Sequence, residues 1–278
     1  MGYQLLVLFF LLVSLAGSPV AGQSRKASTA AGVFQNEDGA ELRLNAEGLL
    51  TRTRGAATTV DASALSDAQA LYLAGQRLTE QGRYVEAIAS FTEALKIQPR
   101  SALFLNDLGF ANSLLGNYEN AISAYVTAIK VKPDYALAHN NLGTVYLRLG
   151  DFERAQASFR SALTIRPGYT TAAYNLGVVF YKDRRLDEAI SLFREVLKLN
   201  LEHADAMNNL ACAYLEKGDY SAAVELMRQA AKQRPQSNIY WRNLGHAYHL
   251  AGSFNEAIGA FHAALKLNPN DSEVLNNL

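Results

Sequence analysis

The sequence of 278 residues has one cysteine, only six prolines and no net charge, and the first and last of these exclude classes of protein. Cys212 is the single cysteine, which excludes an intramolecular disulfide framework and a zinc site made of several cysteines. The 26 basic and 26 acidic residues leave no formal net charge, which argues against a nucleic-acid partner. The chain also lacks the HExxH, GxSxG, P-loop, GxGxxG and CxxC motifs. We therefore predict a non-enzymatic protein with no catalytic residue, bound metal or cofactor.

The N-terminus carries an apolar run, Leu5–Val13, that is too short to span a bilayer comfortably, since a spanning helix needs about 20 residues. Small residues at 20–22 offer a cleavage site, as in a signal peptide. No Lys or Arg precedes the run, whereas Arg25–Lys26 follow it, which is the charge pattern of an uncleaved anchor. We predict that residues 1–22 are a signal peptide for export to the periplasm or the exterior. A membrane tether through residues 5–22 is the alternative.

The next segment, residues 23–63, is rich in Ala, Ser, Thr and Gly and shows no sustained helical period. It is predicted to be a flexible linker that holds the following domain away from a membrane or a cleavage site. Glu41–Leu44 alternates polar and apolar residues, which allows a short strand that would be marginal in isolation.

A period of 34 residues begins after Asp67. The periodic leucine is found at Leu108, Leu142, Leu176, Leu210, Leu244 and Leu278. A small residue follows it, at Gly75, Gly109, Gly143, Gly177, Ala211 and Gly245. An alanine and, four residues later, a large side chain recur at Ala87 and Phe91, Ala121 and Tyr125, Ala155 and Phe159, Ala189 and Phe193, Ala223 and Met227, and Ala257 and Phe261. Proline closes five copies, at Pro99, Pro133, Pro167, Pro235 and Pro269.

These positions predict a pair of helices in each copy. Small and large residues interdigitate where two helices pack, glycine between the two runs permits a chain reversal, and proline ends the second helix. One helix pair cannot bury its apolar face alone, so stacking of the pairs makes the core continuous.

The pattern of Trp241, Leu244, Gly245, Tyr248, Ala257, Phe261 and Pro269 resembles the tetratricopeptide repeat consensus. Six complete units fit it, at 68–101, 102–135, 136–169, 170–203, 204–237 and 238–271, and a seventh begins at Ser272. The resemblance implies an all-α solenoid over residues 64–278, a right-handed superhelix of antiparallel helix pairs whose first helices line a concave groove. The fourth unit departs most, with Arg184 at the turn glycine, Val196 at a small residue and Leu201 at the proline.

A polar residue precedes the periodic leucine at each of its six positions, and we call this column the ladder: Asp107, Asn141, Asn175, Asn209, Asn243 and Asn277. Side-chain amides offer one acceptor and two donors each, which suits the backbone of an extended peptide. The column resembles the asparagine ladder in the repeat region of O-linked N-acetylglucosamine transferases. Asparagine here is alternatively a stabiliser of the helix pairs. Asp107 breaks the column and would repel an acidic peptide.

The remaining candidate peptide-binding residues are Phe110, Tyr174, Tyr181, Arg242 and His246. Tyr72 and Gln76 occupy slots where a carboxylate clamp for acidic tails needs Lys and Asn, so that clamp is not supported. His246 and His249 share a helix face but lack further metal ligands. Cys212, one repeat before His246, is interpreted as a small groove-facing or half-buried residue and not as a redox thiol.

The sequence therefore predicts a non-catalytic scaffold that binds an extended peptide or a helix of an unidentified protein partner. The alternative is the substrate-recruiting N-terminal part of a longer enzyme, such as a glycosyltransferase. The chain stops at Leu278 without a polar capping helix, so self-association through an uncapped C-terminus is a further expectation.

Overall fold

The computed structural model describes residues 33–35, 41–44, 49–52 and 60–278, with side chains from Asp67 onward. They fall into two compact units, an N-terminal unit that ends at Ile165 and a C-terminal unit of residues 166–278. The predicted signal peptide or anchor at residues 1–22 lies outside the described residues.

The described residues before the helices of the N-terminal unit include four short strands. They are β1 (Val33–Gln35), β2 (Glu41–Leu44), β3 (Leu49–Arg52) and β4 (Val60–Asp61). They pair antiparallel in the order β1-β2-β3-β4, with Phe34 opposite Leu42 and Leu44 opposite Leu50. The strand that the alternation of Glu41–Leu44 suggested is therefore present and has a partner on each side. The other residues of the predicted linker lie outside the described part of the chain, and the flexibility of the segment stays a prediction.

The helices follow the 34-residue period. In the N-terminal unit they are α1 (Ala62–Glu80), α2 (Tyr84–Ile97), α3 (Ala102–Leu115), α4 (Tyr118–Val131), α5 (Ala136–Arg148) and α6 (Phe152–Ile165). In the C-terminal unit they are α7 (Thr170–Lys182), α8 (Leu186–Leu199), α9 (Ala204–Lys217), α10 (Tyr220–Gln233), α11 (Asn238–Leu250), α12 (Phe254–Leu267) and α13 (Ser272–Asn277).

Each odd-numbered helix from α1 to α11 packs on the even-numbered helix that follows it, and each unit stacks its own pairs. Within the N-terminal unit the first helices of successive pairs, α1, α3 and α5, also contact one another, and α7, α9 and α11 do so in the C-terminal unit. The short α13 packs on α12, where Val274 joins a buried cluster with Ala257 and Phe261. The predicted all-α array of antiparallel helix pairs is confirmed.

The two helices of a pair approach each other where a glycine faces an aromatic ring. A Cβ on Gly143 would lie 2.8 Å from Cε1 of Phe159, closer than side-chain atoms pack. Five pairs share this geometry: Gly75 with Phe91, Gly109 with Tyr125, Gly143 with Phe159, Gly177 with Phe193, and Gly245 with Phe261. The fifth repeat has Ala211 in place of the glycine and Met227 in place of the aromatic residue. The methyl group of alanine is thus accommodated by a flexible, unbranched side chain. The size of the glycine therefore sets how closely the helices pack.

The turn of the fourth repeat keeps the common geometry although it lacks glycine. Arg184 has a φ of 63°, whereas the turn residues Gly116 and Gly218 have φ of 87° and 81°. The N–H of Arg185 bonds to the carbonyl of Phe180 at 2.9 Å and closes the helix end. The departures of this repeat thus leave its helix pair intact, with left-handed backbone strain at Arg184.

Substitution of Gly143 by Ala should lower the free energy of unfolding by about 1–3 kcal/mol, because the added methyl group overlaps the buried ring of Phe159. Adding Phe159→Met should recover part of the loss, since Ala and Met coexist in the fifth repeat. The matched control is Gly259→Ala in α12, where a Cβ meets no atom within 4 Å and the change should be neutral or stabilising. Chemical denaturation measures both. Equal effects of the two alanines would contradict this account of the close approach.

Candidate functional site

All predicted peptide-binding residues lie on first helices of the repeats. The N-terminal unit holds Asp107 and Phe110 on α3 and Asn141 on α5. The C-terminal unit holds Tyr174, Asn175 and Tyr181 on α7, Asn209 on α9, and Arg242, Asn243 and His246 on α11. Each unit therefore brings together its own subset.

In the N-terminal unit, the ladder residues bond to the preceding first helix. The amide Nδ2 of Asn141 donates to Oδ1 of Asn106 at 3.1 Å. The hydroxyl of Tyr72 donates to Oδ2 of Asp107 at 2.8 Å, and Nδ2 of Asn106 donates to the other oxygen, Oδ1, at 2.9 Å. Each bond between helices joins residues 35 positions apart, so it links one repeat to the next.

The same arrangement recurs in the C-terminal unit. Nδ2 of Asn209 donates to the hydroxyl of Tyr174 at 2.9 Å, and Nδ2 of Asn243 donates to Oδ1 of Asn208 at 2.8 Å. Asn208, Asn209 and Asn243 are all buried. Two predicted peptide-binding residues, Tyr174 and Asn209, thus bind each other. Since a buried amide needs a partner, these bonds give the ladder a structural role.

Sequence reasoning overlooked the partners that the ladder residues bind on the preceding first helix. Tyr72, Asn106, Tyr174 and Asn208 stand one residue before a ladder position and follow the same 34-residue period. A second polar column beside the first is the signal that could have revealed a bond between repeats. The bonds join successive repeats and not the two helices of one pair, so stabilisation of each helix pair by the ladder asparagines stays a prediction, as does their contact with a peptide.

Tyr181 is also engaged between repeats. It is buried, and its hydroxyl donates to Oε1 of Glu216 on α9 at 2.5 Å. Arg184 forms an ion pair with the same carboxylate. Burial raises the pKa of Tyr181, and the nearby Cys212 and Glu216 raise it further. The phenol is therefore a neutral donor that positions α7 against α9.

Arg242 and His246 lie one turn apart on α11. The guanidinium of Arg242 reaches Asp271 at 3.4 Å and Glu273 at 3.0 Å. Burial lowers the pKa of His246, and His249 lowers it further, so the imidazole is neutral at physiological pH. In the part of the chain with described side chains, no group of three or more His, Cys, Asp or Glu residues is placed to hold a metal ion.

Cys212 is buried in α9, deeper than the half-buried or groove-facing position expected from the sequence. Its sulfur lies 3.9 Å from Nδ2 of Asn208. Burial raises the pKa of the thiol to about 12. The thiol is protonated at neutral pH, which makes it a poor nucleophile.

Phe110, in the N-terminal unit, is the one predicted peptide-binding residue that is exposed. Phe110 is 36% exposed, and Leu103, Asp107 and Leu114 lie at successive turns on the same side of α3. On the neighbouring first helices, the position equivalent to Asp107 holds Leu73 and that equivalent to Leu103 holds Leu137; both are exposed. We call this set the α3 face: Leu73, Leu103, Asp107, Phe110, Leu114 and Leu137. It combines apolar area with a single carboxylate.

None of the helices that the structure describes is both long and apolar enough to cross a bilayer.

Comparison with known proteins places the repeats among tetratricopeptide proteins. The family model described as the Cilia and flagella-associated protein 70 C-terminal domain matches residues 25–239, and a tetratricopeptide repeat model matches residues 208–272. No curated protein sequence matches the chain.

Three solved structures show the same fold at low sequence identity. PilW, a type IV pilus biogenesis factor, is 20% identical with a TM-score of 0.70, over 76% of this chain and 97% of its own. PilF of Pseudomonas aeruginosa is 19% identical with a TM-score of 0.68, over 77% of this chain and 98% of its own. YrrB, a tetratricopeptide repeat protein with an unusual peptide-binding site, is 20% identical with a TM-score of 0.55, over 67% and 96%.

Replacing Asn243 by Ala should lower the free energy of unfolding by about 1–3 kcal/mol, because Oδ1 of the buried Asn208 loses its donor. Asn255→Ala is the matched control: Asn255 is exposed on α12, and its substitution should change stability by less than about 0.5 kcal/mol. Urea denaturation followed by circular dichroism compares the two. If Asn243→Ala is as harmless as the control, the ladder does not hold successive repeats together.

Proposed function

We propose that this chain, which belongs to the tetratricopeptide repeat family of the Cilia and flagella-associated protein 70 C-terminal domain, is a non-catalytic scaffold that binds a segment of a partner protein on its first helices. The observation that carries the proposal is the α3 face. It leaves apolar side chains accessible on helices whose other sides are buried in the array.

The composition of the α3 face suits a protein segment. Phe110 is an exposed aromatic ring at the middle of the face, and aromatic anchors carry much of the binding energy in protein interfaces. Leu73 and Leu137 extend the apolar surface onto α1 and α5. A segment laid across the three helices would bury these side chains from water, which stabilises the complex by about 25 cal/mol for each Å² of apolar area removed.

The ladder would contribute hydrogen bonds to the bound backbone. Asn141 uses one N–H of its amide to reach Asn106 and keeps a second N–H for a peptide carbonyl. In this proposal the ladder both joins the repeats and contacts the peptide. The likeness to YrrB, whose peptide-binding site is described as unusual, is consistent with binding by such an array.

The alternative of a substrate-recruiting part of a glycosyltransferase draws on the ladder resemblance. The bonds between Asn141 and Asn106 and between Asn243 and Asn208 account for asparagine in that column without a transferase. No feature of the described residues favours this second function, so we do not propose it.

Export is part of the proposal because the apolar run Leu5–Val13 is typical of a signal peptide. The fold of PilW and PilF is compatible with such a destination, since PilW is a pilus biogenesis factor. Sequencing the N-terminus of the protein recovered from its native host distinguishes cleavage near residue 22 from a retained anchor.

The binding function predicts that the full chain enriches peptides from a display library of random short sequences, and that Phe110→Ala weakens those peptides by about tenfold or more. Loss of an aromatic anchor removes buried apolar area without disturbing the core, because Phe110 is already exposed. Fluorescence anisotropy with labelled copies of the selected peptides measures the dissociation constants.

The matched control is Val85→Ala on α2, since Val85 is 66% exposed on a second helix of the same unit. It should leave binding unchanged. A failure to enrich any peptide, or equal loss in the two variants, would contradict binding on the first helices.

A further inference from the structure

We propose that Asp107 is a recognition site for a Lys or Arg side chain of the partner segment, and that apolar residues on either side of this cation pack on the α3 face. The inference rests on the proposed function and specifies the chemistry of the partner.

The carboxylate of Asp107 accepts hydrogen bonds from three side chains. Oδ2 accepts from the hydroxyl of Tyr72 at 2.8 Å and from Nε2 of Gln76 at 3.2 Å, while Oδ1 accepts from Nδ2 of Asn106 at 2.9 Å. All three donors are neutral. They orient the carboxylate and leave its negative charge uncompensated.

Asp107 lacks a counter-ion within the part of the chain whose side chains are described. No Lys, Arg or His nitrogen there lies within salt-bridge distance of it, and it is the only charged residue of α3. The buried carboxylates of the C-terminal unit differ: Asp205 pairs with Arg234 at 3.2 Å, and Asp271 pairs with Arg242 at 3.4 Å. A partly buried carboxylate without a counter-ion attracts a cation from a partner.

The charge is not needed to join the repeats. Tyr174 and Asn209 in the C-terminal unit occupy the positions equivalent to Tyr72 and Asp107, and there an amide donates to the phenol at 2.9 Å. An asparagine at position 107 could form the same bond with Tyr72. The structural role of the ladder therefore explains a polar residue at position 107 but not a carboxylate.

Burial raises the pKa of Asp107, against the opposing effect of the bonds from Tyr72, Asn106 and Gln76. A raised pKa means that folding favours the protonated acid, so the ionised group costs stability increasingly as the pH rises above the ordinary value for Asp. A bound ammonium or guanidinium group would reverse this cost. The ionised carboxylate of Asp107 thus favours binding of a cation and lowers the stability of the fold without one.

The surroundings of the carboxylate specify the neighbours of the cation. Phe110 and Leu103 lie one turn away on either side along α3, and Leu73 occupies the equivalent position on α1. Asp107 remains partly exposed among them. A basic side chain flanked by apolar ones complements this surface, whereas an acidic segment is repelled by it.

The test is a display selection of random short peptides on the immobilised full chain and on Asp107→Asn, followed by fluorescence anisotropy. The wild-type protein should enrich peptides that carry Lys or Arg between apolar residues. Asp107→Asn should lose this basic preference and bind the wild-type-selected peptides about ten- to a hundredfold more weakly, as expected for a lost charge-assisted bond. Glu119→Gln on α4 removes the same charge from an exposed second-helix position and should change neither result.

A peptide substitution tests the pair without altering the protein. Replacing the Arg of a selected peptide by citrulline, which keeps its size but removes its charge, should weaken binding to the wild-type protein and have little effect on Asp107→Asn. Asp107→Asn should also raise the melting temperature at neutral pH, and the gain should shrink as the pH falls and Asp107 becomes protonated.

Three results would overturn the inference: selected peptides without a basic preference, equal binding of the Arg and citrulline peptides to the wild-type protein, or loss of the preference in Glu119→Gln as well. Enrichment of peptides that lack a basic preference would leave the proposed scaffold function standing. No enrichment at all on the wild-type protein would refute both.

Discussion

The structure depends on the close approach of two helices at a residue without a side chain. In five of the six repeats, the ring of an aromatic residue on the second helix fills the space where a Cβ on the first helix would lie. This contact sets the separation of the two helices, because neither the ring nor the backbone can yield inside a close-packed core. The fifth repeat, with Ala211 and Met227, shows that the constraint concerns the combined size of the two side chains rather than glycine itself.

When the separation of the two helices in each pair is fixed, the first helices of a unit lie side by side and their polar residues come into contact. A ladder residue bonds to the neighbouring helix at a separation of 35 residues, as Asn141 does with Asn106 and Asn243 with Asn208. Such bonds are directional, so they favour one register between successive pairs, whereas apolar packing alone tolerates sliding. In the described side chains no buried polar atom lacks a partner, which is the condition under which a polar seam stabilises a core.

Asp107 differs from the other ladder residues, which are neutral amides, because its side chain is a carboxylate. Its carboxylate receives the same kinds of bonds as an asparagine would, yet it retains a charge that none of the described side chains in the N-terminal unit neutralises. A scaffold with no net charge overall can still select its partner through one charge in an apolar setting, because the low local polarity strengthens the interaction. The proposed recognition of a basic residue follows from that contrast between Asp107 and the paired carboxylates Asp205 and Asp271.

The sequence by itself determined the helix pairs and their 34-residue period, and it placed the candidate residues on the first helices. These features follow from local chemistry repeated every 34 residues: a small residue facing a large one, a turn residue with positive φ, a proline after the second helix. Arg184 takes the place of the turn glycine in the fourth repeat, and the backbone of the turn keeps its positive φ because the packing of that repeat holds it.

Only the tertiary structure decided what the polar columns do. Asn209 and Tyr174 both looked like peptide contacts, but a bond between residues 35 apart exists only after two repeats have stacked. The same holds for the bond between Tyr181 and Glu216 and for the bond between Tyr72 and Asp107, beside which no cation lies among the side chains that the structure describes. The 34-residue period of the sequence shows which residues are equivalent. Which of them are in contact depends on the offset between neighbouring helices, and packing in the folded chain sets that offset.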